Sequence, residues 1–207
     1  MGEFELINER RAINFFDNTK KIDKELLSKV IKLANTAPSS MNLQPWELIV
    51  VESMEYKEIL KKYAFGQPKV TEASAVFIVV ADPEGLENNI EKTIESYIEL
   101  GYMKSEQAEH NRKNAFGLYK DKYSETRKFF AIKNTSFFAM NLMISARVYG
   151  LETHPMDGFN EEKIKIKFKI DEHKKIPLII AIGYPKPGLQ LLPRAYRKPE
   201  EEFVKYF

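Results

Sequence analysis

The sequence predicts an α+β fold, an α/β sandwich with helices flanking a central sheet, and three observations carry that expectation. Helical and strand-like periodicities alternate along all 207 residues without a repeat or a linker, so a single domain is expected over 1–207. Ala75–Ala81 and Ile176–Gly183 are almost wholly apolar and β-branched, which suits strands covered on both faces. Neither a glycine-rich dinucleotide fingerprint nor a Walker loop occurs, so a Rossmann arrangement has no support.

The elements follow in order. A short helix over residues 3–9 is expected to turn Phe4, Leu6 and Ile7 inward and to end at Arg10-Arg11, where cations suit the negative helix terminus. Asp23 is placed to cap a second helix, with Leu26, Leu27, Val30, Ile31 and Ala34 on one face. The string Ala37–Trp46 is expected to be extended at Ala37 and Gln44, because the residue before a proline is driven out of the helical region. Glu47–Glu52 reads as a strand, after which Ser53 caps a helix carrying Tyr56, Ile59, Leu60 and Tyr63. Residues 86–124 are charged and helical in tendency.

From Glu125 to Tyr149 apolar side chains, among them Phe129, Phe130, Phe137, Phe138, Met140 and Leu142, occupy most faces of a long helix that Gly150 stops. Such a helix either runs through the domain centre or packs against a second subunit. Pro155 and Gly158 make His154–Phe159 read as a loop, and Asn160 caps a helix through Phe168. The tail from about 185 to 207 holds four prolines and ends in apolar residues that would be unfavourable in water, so it is expected to reach to a partner subunit.

An apolar share of 43% and a charged share of 30% are those of an ordinary globular domain. A net charge of +2 with dispersed lysines argues against nucleic acid, which needs clustered phosphate neutralisation. The absence of cysteine rules out disulfides, thiolate nucleophiles and thiolate metal sites. His110, His154 and His173 form no ligand-spaced pair, so each reads as a surface or loop residue and no metal site is expected. The first residues are acidic where a signal peptide is basic, and no apolar stretch reaches membrane-spanning length; a cytoplasmic protein is expected.

The strongest chemical signal is Ala37-Pro38-Ser39-Ser40-Met41-Asn42-Leu43-Gln44-Pro45-Trp46. A loop that only stops a helix needs one capping residue, whereas this string sets two hydroxyls and two amides between two prolines. A rigid polar strip of that kind suits a small ligand that takes many short hydrogen bonds. Three further clusters accompany it. Arg10-Arg11 stands before an apolar run, and Arg194-Ala195-Tyr196-Arg197-Lys198-Pro199 lies near the other terminus; each is either solvated or suited to a bidentate grip on phosphate. The third, His154–Phe159, contains a glycine that lets backbone N–H groups approach a flat ring closely.

Together the four clusters resemble the FMN-dependent nitroreductase family, in order and over essentially the full length. Ala37–Trp46 is similar to the family's A-P-S-S-x-N-x-Q-P-W string, Arg10-Arg11 to R-R-S-x-R, Pro155–Phe159 to P-x-[ED]-G-F/Y, and Arg197-Lys198-Pro199 with Glu201-Glu202 to R-x-P-x-E-E. The resemblance implies a mostly antiparallel central sheet and an intertwined homodimer with two FMN molecules at its interface. By position, Arg10 and Arg197 would hold the phosphate, with Arg11 and Ala12 beside them. Pro38, Ser39, Ser40 and Asn42 would approach from the second subunit. Asn14, Gln67 and Lys69 would face the pyrimidine edge, and Pro155, Met156, Asp157 and Gly158 would aim a backbone N–H at flavin N5. Phe116 would line the acceptor channel.

The implied activity is NAD(P)H-dependent, ping-pong reduction of nitroaromatics, quinones or similar acceptors, with no catalytic side chain because the cofactor carries the chemistry. Two alternatives are another flavin reaction on the same fold, such as dehalogenation or flavin breakdown, and a non-catalytic flavin-binding dimer. Two departures bear on the site. Ala12 stands where the family usually has serine, and Asn14 stands where arginine or lysine is common. A cation beside the flavin pyrimidine stabilises its anionic reduced form, so its loss lowers the potential unless Lys69 compensates.

Overall fold

The structure, a computed structural model, describes residues 3–207; Met1 and Gly2, which open the acidic N-terminal stretch, and the Glu3 side chain lie outside the described part. Its elements in chain order are α1 (Glu3–Asn8), α2 (Lys24–Ala34), β1 (Trp46–Val51), α3 (Met54–Tyr63), α4 (Lys69–Glu72) and β2 (Ala75–Ala81). They are followed by α5 (Gly85–Glu99), α6 (Ala108–Tyr119), α7 (Glu125–Val148), β3 (Glu152–Met156), α8 (Glu161–Phe168) and β4 (Lys175–Gly183). All pairings between these strands are antiparallel, in the order β1-β2-β4-β3.

The three sequence-predicted helix caps form as hydrogen bonds. Asp23 accepts from Leu26 N–H, Ser53 from Tyr56 N–H and Asn160 from Lys163 N–H. Gly150, at φ +74°, ends α7 as a paired reversal: its N–H donates to Arg147 O and that of Leu151 to Ala146 O.

The sheet divides the core by residue parity, as the two-residue period of a strand requires. Ala75, Phe77, Val79, Ile180 and Ile182 pack with α2 and α7 on one face. Val76, Ile78, Val80, Ile179 and Ala181 pack with Leu60, Val70 and Ile164 on the other. Every residue of β2 is buried, and each large aliphatic side chain so covered contributes about 1.5–3 kcal/mol. A third cluster, around Leu86, Ile90, Ala115, Tyr119 and Phe130, joins α5 and α6 to the first half of α7.

Four expectations need correction. Phe4 and Ile7 of α1 are 78% and 65% exposed, because a six-residue helix at the chain end has too few neighbours to cover both. Gln44 is not extended but has φ +45°; its N–H is held by Ser39 Oγ (3.0 Å), and its carbonyl accepts from Trp46 N–H (2.8 Å) across Pro45. Pro155 and Met156 lie in a strand rather than a loop. β3 is the edge strand of the named sheet, where a missing N–H is tolerated. His154 accordingly is neither a loop nor a surface residue: it is half-buried, and Nδ1 lies 2.8 Å from the Ile13 carbonyl.

One side of the long helix runs through the domain centre, as its composition allows, and apolar side chains on another side stay uncovered within the chain. Phe130, Phe138, Leu142 and Ala146 are buried within the chain, while Phe129, Phe137, Met140 and Val148 remain exposed. The tail folds back onto its own N-terminal segment, where Arg194 donates to Asn8 O and Leu192 O accepts from Arg11 (3.2 Å).

Candidate active site

Residues 10–14 run alongside the edge strand. Ala12 bridges Thr153 in parallel, Ile13 N–H donates to Thr153 O (3.2 Å), and the buried Ile13 side chain anchors the segment. Ala12 and Asn14, on the alternate parity, are exposed. β3 presents Glu152, His154 and Met156 on one parity in turn. The Ile13 carbonyl fixes His154 as the Nδ1–H tautomer, since a carbonyl only accepts. Burial lowers the imidazole's pKa; the bond to Ile13 opposes this and the positive charge of Lys69 adds to it.

At one end of this strip is a cluster of charge. Arg10 lies in the field of Arg194, Glu152, Arg147 and Arg197, and burial followed by repulsion from Arg194 lowers its pKa. Arg147 is ion-paired to Glu152 and lies 3.6 Å from Glu9. Burial raises the Glu152 carboxyl against the pull of Arg147 and Arg10. Arg10 Nη1 is buried without a hydrogen-bond partner. A buried guanidinium N–H left over among further arginines fits an anionic oxygen, and a phosphate fills that role with bidentate geometry.

At the other end, Gln67 spans two contacts. Its Nε2 donates to Gly158 O (3.0 Å) and its Oε1 accepts from Lys69 (3.3 Å), whose ammonium burial shifts toward lower pKa. A Cβ at the exposed Gly158 would meet only ordinary contacts, at 3.7 and 3.8 Å, so the fold itself does not require glycine there. The bare backbone keeps the surface open to a flat ligand. Pro155 and Met156 hold this turn to β4, and Asp157 is exposed, its carbonyl accepting from Phe159 N–H.

The polar strip packs on other elements. Ser40 N–H donates to Asn134 Oδ1 (2.9 Å) of α7, Ser40 Oγ shares a hydrogen bond with the Tyr119 hydroxyl of α6, and Asn42 O accepts from Thr93 of α5 (3.3 Å). Pro38 and Asn42 are exposed. Met41 and Asn42 both have φ +53°, a conformation that side chains other than glycine adopt rarely and that clusters at ligand sites. Phe116, one turn before Tyr119, is 38% exposed.

The structure thus gathers Arg10, Asn14, Gln67, Lys69 and Pro155–Gly158 along β3, with Arg194 and Arg197 in electrostatic reach of Arg10. It sets Pro38–Asn42 and Phe116 on α5, α6 and α7. Arg11 donates to the Leu192 carbonyl of the tail.

Sequence reasoning missed Glu152, Arg147, Tyr119 and Asn134. The alternation Glu152-x-His154-x-Met156 was the available signal for the first of these, but Pro155 obscured it. Asp82, Glu84 and His173 each bring a ligand-type atom within 4.8 Å of one another, yet lysines are already in place: Lys174 lies 3.7 Å from Asp82 and Lys122 pairs with Glu84.

The sequence profile of the nitroreductase family matches residues 7–184. MhqN of Bacillus subtilis (strain 168), named for an NAD(P)H nitroreductase activity, is 35% identical over 207 residues, with both chains fully covered. The crystal structure of YdfN from Bacillus subtilis superposes with a TM-score of 0.91 at 34% identity, covering 99% of this chain and 98% of that one. A protein of Exiguobacterium sibiricum 255-15, named as a nitroreductase and solved in complex with FMN, gives a TM-score of 0.87 at 26% identity, covering 100% and 98%. With this match and the matching fold, the chain belongs to the nitroreductase family.

Proposed function

We propose that the chain is an NAD(P)H-dependent FMN oxidoreductase working as a homodimer. The family is one of FMN-dependent oxidoreductases whose members are typically dimers. The single observation that carries the proposal is the unpartnered, buried Arg10 Nη1 beside Arg194 and Arg197. When bound, FMN supplies two-electron chemistry, taking hydride from a reduced nicotinamide and delivering it to an acceptor.

The residues then divide the work. Arg10 holds the phosphate with Arg194 and Arg197. Lys69, oriented by Gln67, brings positive charge to the pyrimidine edge that Asn14 leaves uncharged. The Pro155–Gly158 turn, tied down through Gln67, offers its backbone without a side chain in the way. Ser39, Ser40 and Asn42 come from the partner subunit, which is supported by their seating on α5, α6 and α7 and by the exposed aromatic residues of α7. The tail from about 185 contributes Arg197 and extends that interface. Donor and acceptor use one opening in turn, which gives ping-pong kinetics, and Phe116 borders it. Nitroaromatics, quinones and similar acceptors suit an opening without a dedicated acid or base. A cytoplasmic setting belongs to the same proposal, since reduced nicotinamide is regenerated there.

The test is an anaerobic titration of the FMN-loaded protein with NADH and NADPH, followed by a panel of acceptors. Bleaching of the flavin band and its return on adding a nitroaromatic or quinone is the expected result. A colourless protein that fails to bind added FMN disposes of the proposal.

A further inference from the structure

The end of α6 makes an unusual junction with the polar strip. Tyr119 is the last residue of α6, 6% exposed, and its ring lies 4.2 Å from that of Phe130 on α7. Its hydroxyl shares a hydrogen bond with Ser40 Oγ, and the Ser40 N–H is held at the same time by Asn134. Asn134 is itself fixed, donating to Phe130 O (2.7 Å). The junction is held from behind as well. Arg127, fully buried, donates to Tyr119 O (3.3 Å), to Lys120 O and to Pro83 O (3.1 Å), and pairs with Glu87. Such investment in the ends of one loop exceeds what capping a twelve-residue helix needs.

The direction of the bond follows from acidity. A phenol is the stronger donor of the two hydroxyls, so Tyr119 O–H donates and Ser40 Oγ accepts. The Ser40 hydrogen is then left to point away from Tyr119. We infer that Tyr119 is a positioning residue: it fixes the Ser40 hydroxyl as a donor toward the cofactor and ties the strip to the helix that carries Phe116. The inference rests on the proposed FMN site. It assigns a role to a side chain that touches neither cofactor nor acceptor, and it makes α6 the common support of the acceptor-side ring and the cofactor-side hydroxyl.

The experiment compares Tyr119→Phe, Ser40→Ala and the double variant as full-length protein reconstituted with FMN. It reads the FMN dissociation constant by flavin fluorescence, the visible absorption spectrum and the thermal midpoint of the apoprotein. Tyr119→Phe keeps the ring and its packing, so a packing role leaves FMN affinity unchanged. The expected result is an FMN dissociation constant raised about five- to tenfold, the worth of one hydrogen bond. A displaced flavin absorption maximum accompanies it, and the double variant binds no worse than the worse single one. Wild-type affinity and spectrum in Tyr119→Phe, or losses that simply add in the double variant, overturn the inference while leaving the functional proposal standing. A wild-type protein that binds no FMN overturns both.

Discussion

Pro45 presses on the backbone of Gly85: a Cβ at position 85 would lie 2.6 Å from the Pro45 Cα and 2.7 Å from its Cβ. Pro45 cannot retreat freely, because its carbonyl accepts from both Asp82 N–H (3.0 Å) and Thr135 Oγ1 (2.9 Å). Glycine at the start of α5 is therefore what lets the polar strip turn into β1. Gly85→Ala should lower stability by about 1–3 kcal/mol, a drop of several degrees in Tm for a chain of this length, and should weaken FMN retention by displacing Ser39–Asn42. Gly117→Ala is the control. A Cβ there meets nothing within 4 Å in a helical interior, so the same chemical change should stabilise by about 0.5–1 kcal/mol. Equal thermal midpoints for the two variants would mean that Pro45 moves aside.

Arg10 and Arg197 both match family motifs, but the structure separates them. Arg197 is exposed and donates to the carbonyls of Ala195 (3.2 Å) and Tyr196 (2.9 Å) on its own segment. Arg10 is partly buried and keeps an unpartnered N–H. Removing a charge-assisted bond from the buried side costs about 1.5–3 kcal/mol, so Arg10→Ala should weaken FMN binding about ten- to a hundredfold. Arg197→Ala should weaken it by a smaller factor that added salt erases, because an exposed charge is screened. Fluorescence titration at two ionic strengths checks both, and an Arg10→Ala protein with wild-type affinity would move the phosphate to Arg194.

The features that sequence rendered legible were local. Asp23, Ser53 and Asn160 each satisfy an N–H within three residues, so residue type and spacing suffice to place the cap. β2 was legible because burial on both faces leaves a continuous apolar run. What escaped was built from distant pieces. β3 carries Pro155, whose reputation as a breaker outweighs its fitness for an edge strand. The Arg10–Glu152–Arg147 cluster draws on three segments, none of which is unusual alone. The left-handed backbone at Gln44 opposes the preference that Pro45 imposes, and only the Ser39 hydroxyl and the turn at Trp46 explain it.

His154 gives the site a pH dependence whose sign can be worked out. Its folded pKa lies below the ordinary histidine value, because burial and Lys69 outweigh the bond to Ile13. The unfolded chain therefore binds more protons than the folded one between the folded value and about 6.5, and stability rises with pH across that window. The stabilising contribution of the neutral imidazole is complete above about pH 6.5 and is lost as the medium is acidified below it. His154→Gln can still donate to the Ile13 carbonyl but does not titrate. Chemical denaturation from pH 7.5 down to about pH 5.5, the range in which histidine titrates, should show a smaller loss for the variant than for the wild type. Parallel curves would place the titrating group elsewhere.

The exposed residues of α7 bear on assembly. Phe129, Phe137, Met140 and Val148 fall within a stripe about 100° wide on a helix of 3.6 residues per turn, opposite the buried Phe138, Leu142 and Ala146. An apolar stripe of that width in water is unfavourable, and Phe4 and Ile7 of α1, which packs against α7, are exposed as well. A second copy related by a twofold axis would bury the same stripe from both sides. Phe137→Glu places a charge in its middle and should shift the sedimenting mass from about twice 24.1 kDa to that of one chain. If the strip of one chain completes the site of the other, the same variant loses FMN even though Phe137 itself is remote from Arg10 along the chain. Added FMN should in turn strengthen association of the wild type, because a ligand held by both chains binds only the dimer. A Phe137→Glu protein that stays dimeric would put the interface on another face, and one that is monomeric yet fully loaded with flavin would place the whole site within a single chain.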